Sequence, residues 1–127
     1  MSSENETLAR RYVEEVFNKG DVAAIDELVA TDFTEHDPYP GQAPGIEGEK
    51  QAVSNLRIAF PDLRLTIDEL IAEGEHVVIQ ITAQGTQNGE FQGTPASGAP
   101  ITEMQVHMLR CVDGKCVEHW GEVNCCA

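Results

Sequence analysis

Up to about residue 60 the apolar positions of this chain recur at helical spacing, and beyond it they fall on every second residue. Leu8, Tyr12, Val13, Val16 and Phe17 form a first helical stripe, opened by Ser3 and Glu6 in capping-box spacing and stopped at Asn18-Lys19-Gly20. Asp21 caps a second, short helix whose apolar face is Ile25, Leu28 and Val29. Asp32 to His36 reads as a short strand. It runs into a loop where three prolines and two glycines between residues 38 and 45 prevent regular structure. Ala52, Val53, Leu56, Ala59 and Phe60 make a third helical stripe, predicted from Glu47 to Phe60 and ended by Pro61.

After Pro61 the alternation is that of half-buried strands. Leu63, Leu65 and Ile67 lie on one side of a first strand, and Val77, Ile79, Ile81 and Ala83 on one side of a second, joined near Glu73-Gly74-Glu75. Residues 88–100 form a long Gly-, Pro- and Ser-containing connection. Ile101 to Cys111 and Lys115 to Asn124 are two more strands, with Asp113-Gly114 as a two-residue hairpin turn between them. Helices followed by an antiparallel meander predict an α+β fold in which one curved sheet wraps over helices, leaving a hollow at its mouth. The 127 residues suit one domain, residues 1–127.

Alternation assigns faces on the last two strands. Glu103, Gln105, His107 and Leu109 share one side; Glu118, Trp120, Glu122 and Asn124 share one side of the final strand, opposite Val117, His119, Gly121 and Val123. If Gln105 and His107 look into the same hollow as Trp120, Glu122 and Asn124, that hollow has an aromatic wall and several hydrogen-bonding groups; otherwise this mixed face is solvent-exposed. A tryptophan with one polar end suits such a wall, and equally a subunit contact. His36, at a strand end in His36-Asp37-Pro38, is a further group that can donate or accept a proton near neutral pH, although Asp37 can equally serve only to shape the turn. Tyr12 and Phe33 are expected as aromatic lining.

Composition narrows the partners. Asp and Glu number 22 against 8 Lys and Arg, a net charge of −14, so nucleic acid and anionic lipid would be repelled. Lysine is confined to Lys19, Lys50 and Lys115, and such acidic, lysine-poor surfaces suit high salt as well as ordinary acidic proteins. No apolar run of about 18 residues could span a bilayer, and MSSENETLARRY lacks the basic-then-apolar pattern of a secretory signal, so a cytoplasmic location is expected with the four cysteines reduced. Adjacent Cys125 and Cys126 point to opposite sides of an extended chain, which disfavours a zinc site. Glycine-rich nucleotide loops and the Gly-x-Ser-x-Gly elbow are absent.

The order of RYVEEVFNKGD, FTEHDP, GIEGEKQAVSNLRIAFPDL, EGEHVVIQITAQGT, GEFQGTPASGAPI and DGKCVEHWGEVN resembles the SnoaL-like polyketide cyclases of the NTF2-like superfamily, over about Arg11 to Asn124. The resemblance implies a cone-shaped α+β barrel, a homodimer or larger homo-oligomer, and a hydrophobic carbonyl compound cyclised by intramolecular aldol chemistry without metal or organic cofactor. His36 and His107 match pocket histidines and Gln105 a polar lining position; Asn124 stands where the family has its catalytic aspartate. Asparagine takes no proton at neutral pH, so Glu122 is expected to substitute as the base, with His36 and His107 as partners. The alternative is a non-catalytic binding or structural member of the fold. An epoxide hydrolase needs an Asp-Arg-Asp set, and Arg110 falls on the side opposite His107.

Overall fold

The computed structural model of the protein describes residues 2–123. The first helix, α1 (Ser2–Arg11), continues over Tyr12–Asn18 in wider turns, in which the Lys19 N–H reaches back to the Glu14 carbonyl. The Asp21 side chain accepts the Ala24 N–H at 3.3 Å and opens a 3-10 turn that leads into α2 (Ile25–Leu28). Strand β1 (Val29–Glu35) follows, then the proline loop and α3 (Gly45–Ala59). The chain then lays down β2 (Arg64–Glu73), β3 (His76–Thr86), β4 (Pro100–Val112) and β5 (Lys115–Val123).

Among the described residues one sheet holds five strands in the order β1-β5-β4-β3-β2; β1 runs parallel to β5, and the other neighbours are antiparallel. The predicted α+β architecture is the one observed. Its core lies between the helices and the concave face, where Val77, Ile79, Ile81 and Ala83 of β3 and Leu109 and Cys111 of β4 meet Leu8, Val13, Val16, Ile25, Leu28 and Val53. Asn18 ties helix to sheet, its side chain exchanging hydrogen bonds with both backbone groups of Leu65 at 2.6 and 2.9 Å.

Besides a register shift between β1 and β5 at Val29 to Thr34, two irregularities change which residues of a strand face inward. On β2 the pairing slips between Ile67 and Glu69, so Leu65 and Ile67 face inward before Asp68 and Leu70 and Ala72 after it. On β5, Cys111 faces Cys116, but Arg110 faces Glu118. Val117 is therefore an extra residue in that strand. Such a bulge increases local twist and exchanges the two faces of everything beyond it.

Candidate active site

The bulge at Val117 decides which residues of β5 meet the hollow. Before it Cys116 points inward; after it His119 and Gly121 do. Leu109 then pairs with His119, His107 with Gly121 and Met108 with Trp120. Trp120 accordingly lies on the outer face of the sheet. There its ring stacks on His36 at 4.5 Å between centroids, and His36 Nε2 meets Glu118 Oε1 at 2.9 Å. Glu118 is also held by Arg110, which reaches Glu75 at 3.2 Å.

The expectation that Trp120 and His36 share the hollow with His107 is thus corrected, because straight alternation carried through the turn ignores one inserted residue. The backbone of Glu122 pairs with that of Val106, while Gln105 pairs with Val123. Phe33 packs into the core at 4% exposure and does not line the hollow. Asn124, Cys125 and Cys126 lie outside the described residues.

The hollow itself is a cavity of about 510 Å³ between the concave face and the helices. Most of its wall is apolar, with Val13, Phe17, Val53, Leu56, Ile79 and Ile81 among the contributors. Tyr12, Gln105 and His107 line it as the sequence suggested. Glu35, Asp37, Glu49, Glu103 and His119 join them.

These polar groups form a connected array. Glu35 grips His119 Nδ1 at 2.6 and 2.7 Å through its two carboxylate oxygens. His119 Nε2 lies 2.8 Å from His107 Nδ1, and His107 Nε2 lies 2.9 Å from Gln105 Oε1. Gln105 in turn donates to Glu103 at 2.7 Å. A carbonyl oxygen only accepts, so His107 carries its proton on Nε2, and its bare Nδ1 accepts from His119 Nε2–H. The remaining contact, His119 Nδ1 to Glu35, then needs one more proton. His119 holds it as an imidazolium, or Glu35 as an acid.

From α3, Glu49 accepts the Tyr12 hydroxyl and a 3.5 Å bond from Gln42 Nε2. Burial, partly offset by the tyrosine bond and reinforced by the neighbouring charge of Glu35, pushes Glu49 up to about 7. Glu35 moves the other way: burial would raise it, but the hydrogen bond and charge of His119 and the Asp37 N–H outweigh that and lower it. His107 is pushed down to about 4 by burial and by the charge of His119. The array so holds one proton shared between Glu35 and His119 and a neutral imidazole next to it, with a carboxyl that titrates near neutrality beside them.

Local geometry explains the placement. Glu49 stands three, four and seven residues before Ala52, Val53 and Leu56, on the apolar stripe of α3 itself, and only 7% of it is exposed. Glu35 follows Phe33 by two residues on β1. The Asp37 carboxylate, just beyond β1, accepts the Gly121 N–H at 2.9 Å and so pins the Pro-rich loop to β5. Periodicity held the signal for Glu49 and Glu35. Nothing local marked His119 or Gly121, since both depend on the bulge.

The SnoaL-like polyketide cyclase family model matches residues 7–127. The chain is 30% identical over 118 residues to the aklanonic acid methyl ester cyclase DnrD of Streptomyces peucetius, covering 88% of this chain and 79% of that protein. Its counterpart DauD from Streptomyces sp. (strain C5) is likewise 30% identical, over 88% of this chain and 71% of its own. Among solved structures, TsrD from Streptomyces laurentii superposes with a TM-score of 0.88 at 28% identity, covering 98% of this chain and 90% of that one. IdmH from Streptomyces antibioticus does so with 0.78 at 33%, covering 95% and 91%. Sequence and structure agree that the chain belongs to the SnoaL-like polyketide cyclase family.

Proposed function

We propose that the protein is a cofactor-free enzyme that closes a ring in, or isomerises, a hydrophobic carbonyl compound of polyketide type by general acid–base catalysis. The observation that carries this reading is the continuous array Glu35–His119–His107, with Glu49 beside it, set into an otherwise apolar cavity. An apolar cavity of this size suits a small polycyclic or polyketide-like ligand. Groups poised to exchange protons near pH 7 are what proton abstraction next to a carbonyl requires.

In this reading Glu49 takes the proton from the carbon next to the carbonyl, and the resulting enolate attacks a second carbonyl carbon within the same molecule. The new alkoxide receives the proton that Glu35 and His119 share. Glu35, whose charge acts on Glu49, also holds His119; in this reading the abstracted proton returns through it to the imidazole pair, and no net proton is consumed. The catalytic residues proposed are therefore Glu49, His119 and His107, with Tyr12 and Gln105 orienting the array. Glu122 and His36, expected from the sequence, are replaced in these roles. A homodimer or larger homo-oligomer is part of the same proposal, supported by the exposed apolar Ile71, Met104 and Val106 on the sheet's outer face.

The test is to incubate the protein with an aromatic ester bearing a side chain with a second ketone, and to follow a ring-closed isomer of unchanged mass by chromatography, with solvent deuterium entering at the acidic carbon. Turnover in the wild type that falls about 100-fold or more in Glu49→Gln, with binding retained, supports the reading. Tight binding without any conversion by the wild type overturns it in favour of a binding protein.

A further inference from the structure

A second cleft of about 500 Å³ adjoins the cavity on the outer side of α3. Tyr39, Gln42, Ala52, Phe91 and Gln92 line both spaces, so the wall between them is one side chain thick. Tyr39 and Phe91 stand edge to face at 5.8 Å across that boundary. A ligand filling the cavity would emerge at this aromatic pair, and any substituent it carries would continue into the cleft.

The two linings differ in chemistry. The cavity is mainly aliphatic, whereas the cleft presents the carboxamides of Gln51, Asn55 and Gln92 together with the apolar faces of Tyr39 and Ile58, which are 42% and 67% exposed. Carboxamides offer a donor and an acceptor each, which matches hydroxyl groups that also do both. Exposed aromatic and aliphatic faces beside them match the C–H face of a saturated ring. Among the described residues neither lining contains a lysine or arginine, and Glu90 stands in the cleft while Asp37, Glu49 and Glu103 stand in the cavity. An anionic substituent would have no counter-charge there.

Building on the proposed function, we infer that the cleft is a second subsite that receives an uncharged, polyhydroxylated, sugar-like substituent of a ligand whose ring system fills the cavity. Gln51 and Asn55 lie one turn apart on the exposed face of α3 and belong to the cleft alone. They are specificity-determining positions, separate from the acid–base array.

The test titrates the protein with a hydroxyanthraquinone, its O-glucoside and its O-sulfate, in the wild type and in the Gln51→Ala/Asn55→Ala double variant. The expected result is binding of the glucoside about tenfold tighter than the aglycone in the wild type, and of the sulfate more weakly than the aglycone. The double variant should lose the glucoside advantage and keep the aglycone affinity. Equal affinities for aglycone and glucoside, a glucoside advantage that survives the double substitution, or a sulfate that binds best would each overturn the subsite while leaving the cavity's proposed role standing. Failure of all three ligands to bind would overturn both.

Discussion

His107 and His119 meet at 2.8 Å across neighbouring strands because the residue beside them, Gly121, has no side chain. A Cβ built on Gly121 would sit 2.8 Å from His107 Nδ1 and 2.8 Å from His119 Cε1, closer than real Cβ contacts. Gly121→Ala is therefore expected to push the imidazoles apart, at a cost of about 1–3 kcal/mol in stability. Under the proposed mechanism turnover should fall by at least tenfold. Thermal unfolding and a turnover assay on the same preparation separate the two effects. A variant as active as the wild type would show that the imidazole contact is not needed.

Glu49 gives the fold a characteristic dependence on pH. Its carboxyl is raised to about 7 in the folded protein from the 4.5 of an unperturbed group, so between these values the folded state holds a proton that the unfolded state has lost. Stability then falls as pH rises through that window, by up to about 3 kcal/mol from this group. Glu49→Gln removes the effect: relative to the wild type, the variant should gain stability from about pH 4.5 to about pH 7 and level off above it. Urea unfolding at several pH values measures it, and a constant difference between the proteins would contradict the assignment.

His107 pulls the other way. Held down to about 4, it is neutral in the folded state while the unfolded imidazole charges below about 6.5. Its contribution is full above that value and is lost as pH falls towards 4. Replacing His107 by Gln should flatten this acid-side loss, and NMR of the ring carbons should find the imidazole uncharged at pH 5.5. A charged ring at that pH would refute the burial argument.

The outer-face stack should be structural. His36→Ala removes the ring from Trp120 and one partner of Glu118, and is expected to lower stability by about 1 kcal/mol. Turnover should stay within about twofold of the wild type, since no part of the stack reaches the cavity. Because Trp120 is the only tryptophan, its fluorescence reports the loss of the stack directly. A large loss of turnover with the fold intact would return His36 to the reaction.

The sequence made the architecture readable because its two periods are clean: the helical stripes of α1 and α3 and the alternation of β3 leave one arrangement of layers. The same alternation placed Gln105 and His107 correctly on β4. It failed on β5 at a single residue. Val117 interrupts the register after the hairpin, and no local feature of KCVEHWGEV announces it, since a bulge is settled by which side chains pack best on the curved sheet. Deleting Val117 is the corresponding test: it should restore an even register, drive Trp120 toward the cavity and His119 out of it, and lower the midpoint of urea unfolding. Glu35 and Glu49 were legible in principle, each sitting in an apolar lane, but a carboxylate in such a lane looks like an error in the pattern until a partner is found for it.

The pairing of β1 with β5 has a consequence for how the molecule comes into being. Glu35 and Asp37 reach the partners they bind, His119 and Gly121, 84 residues later in the chain. During synthesis the helices, β2, β3 and β4 can all be assembled while β1 still has no neighbour in the sheet, and the proton-handling groups remain scattered. Only when β5 slides between β1 and β4 does the Glu35–His119–His107 array form, so a nascent chain can have nearly all of its architecture before that array exists.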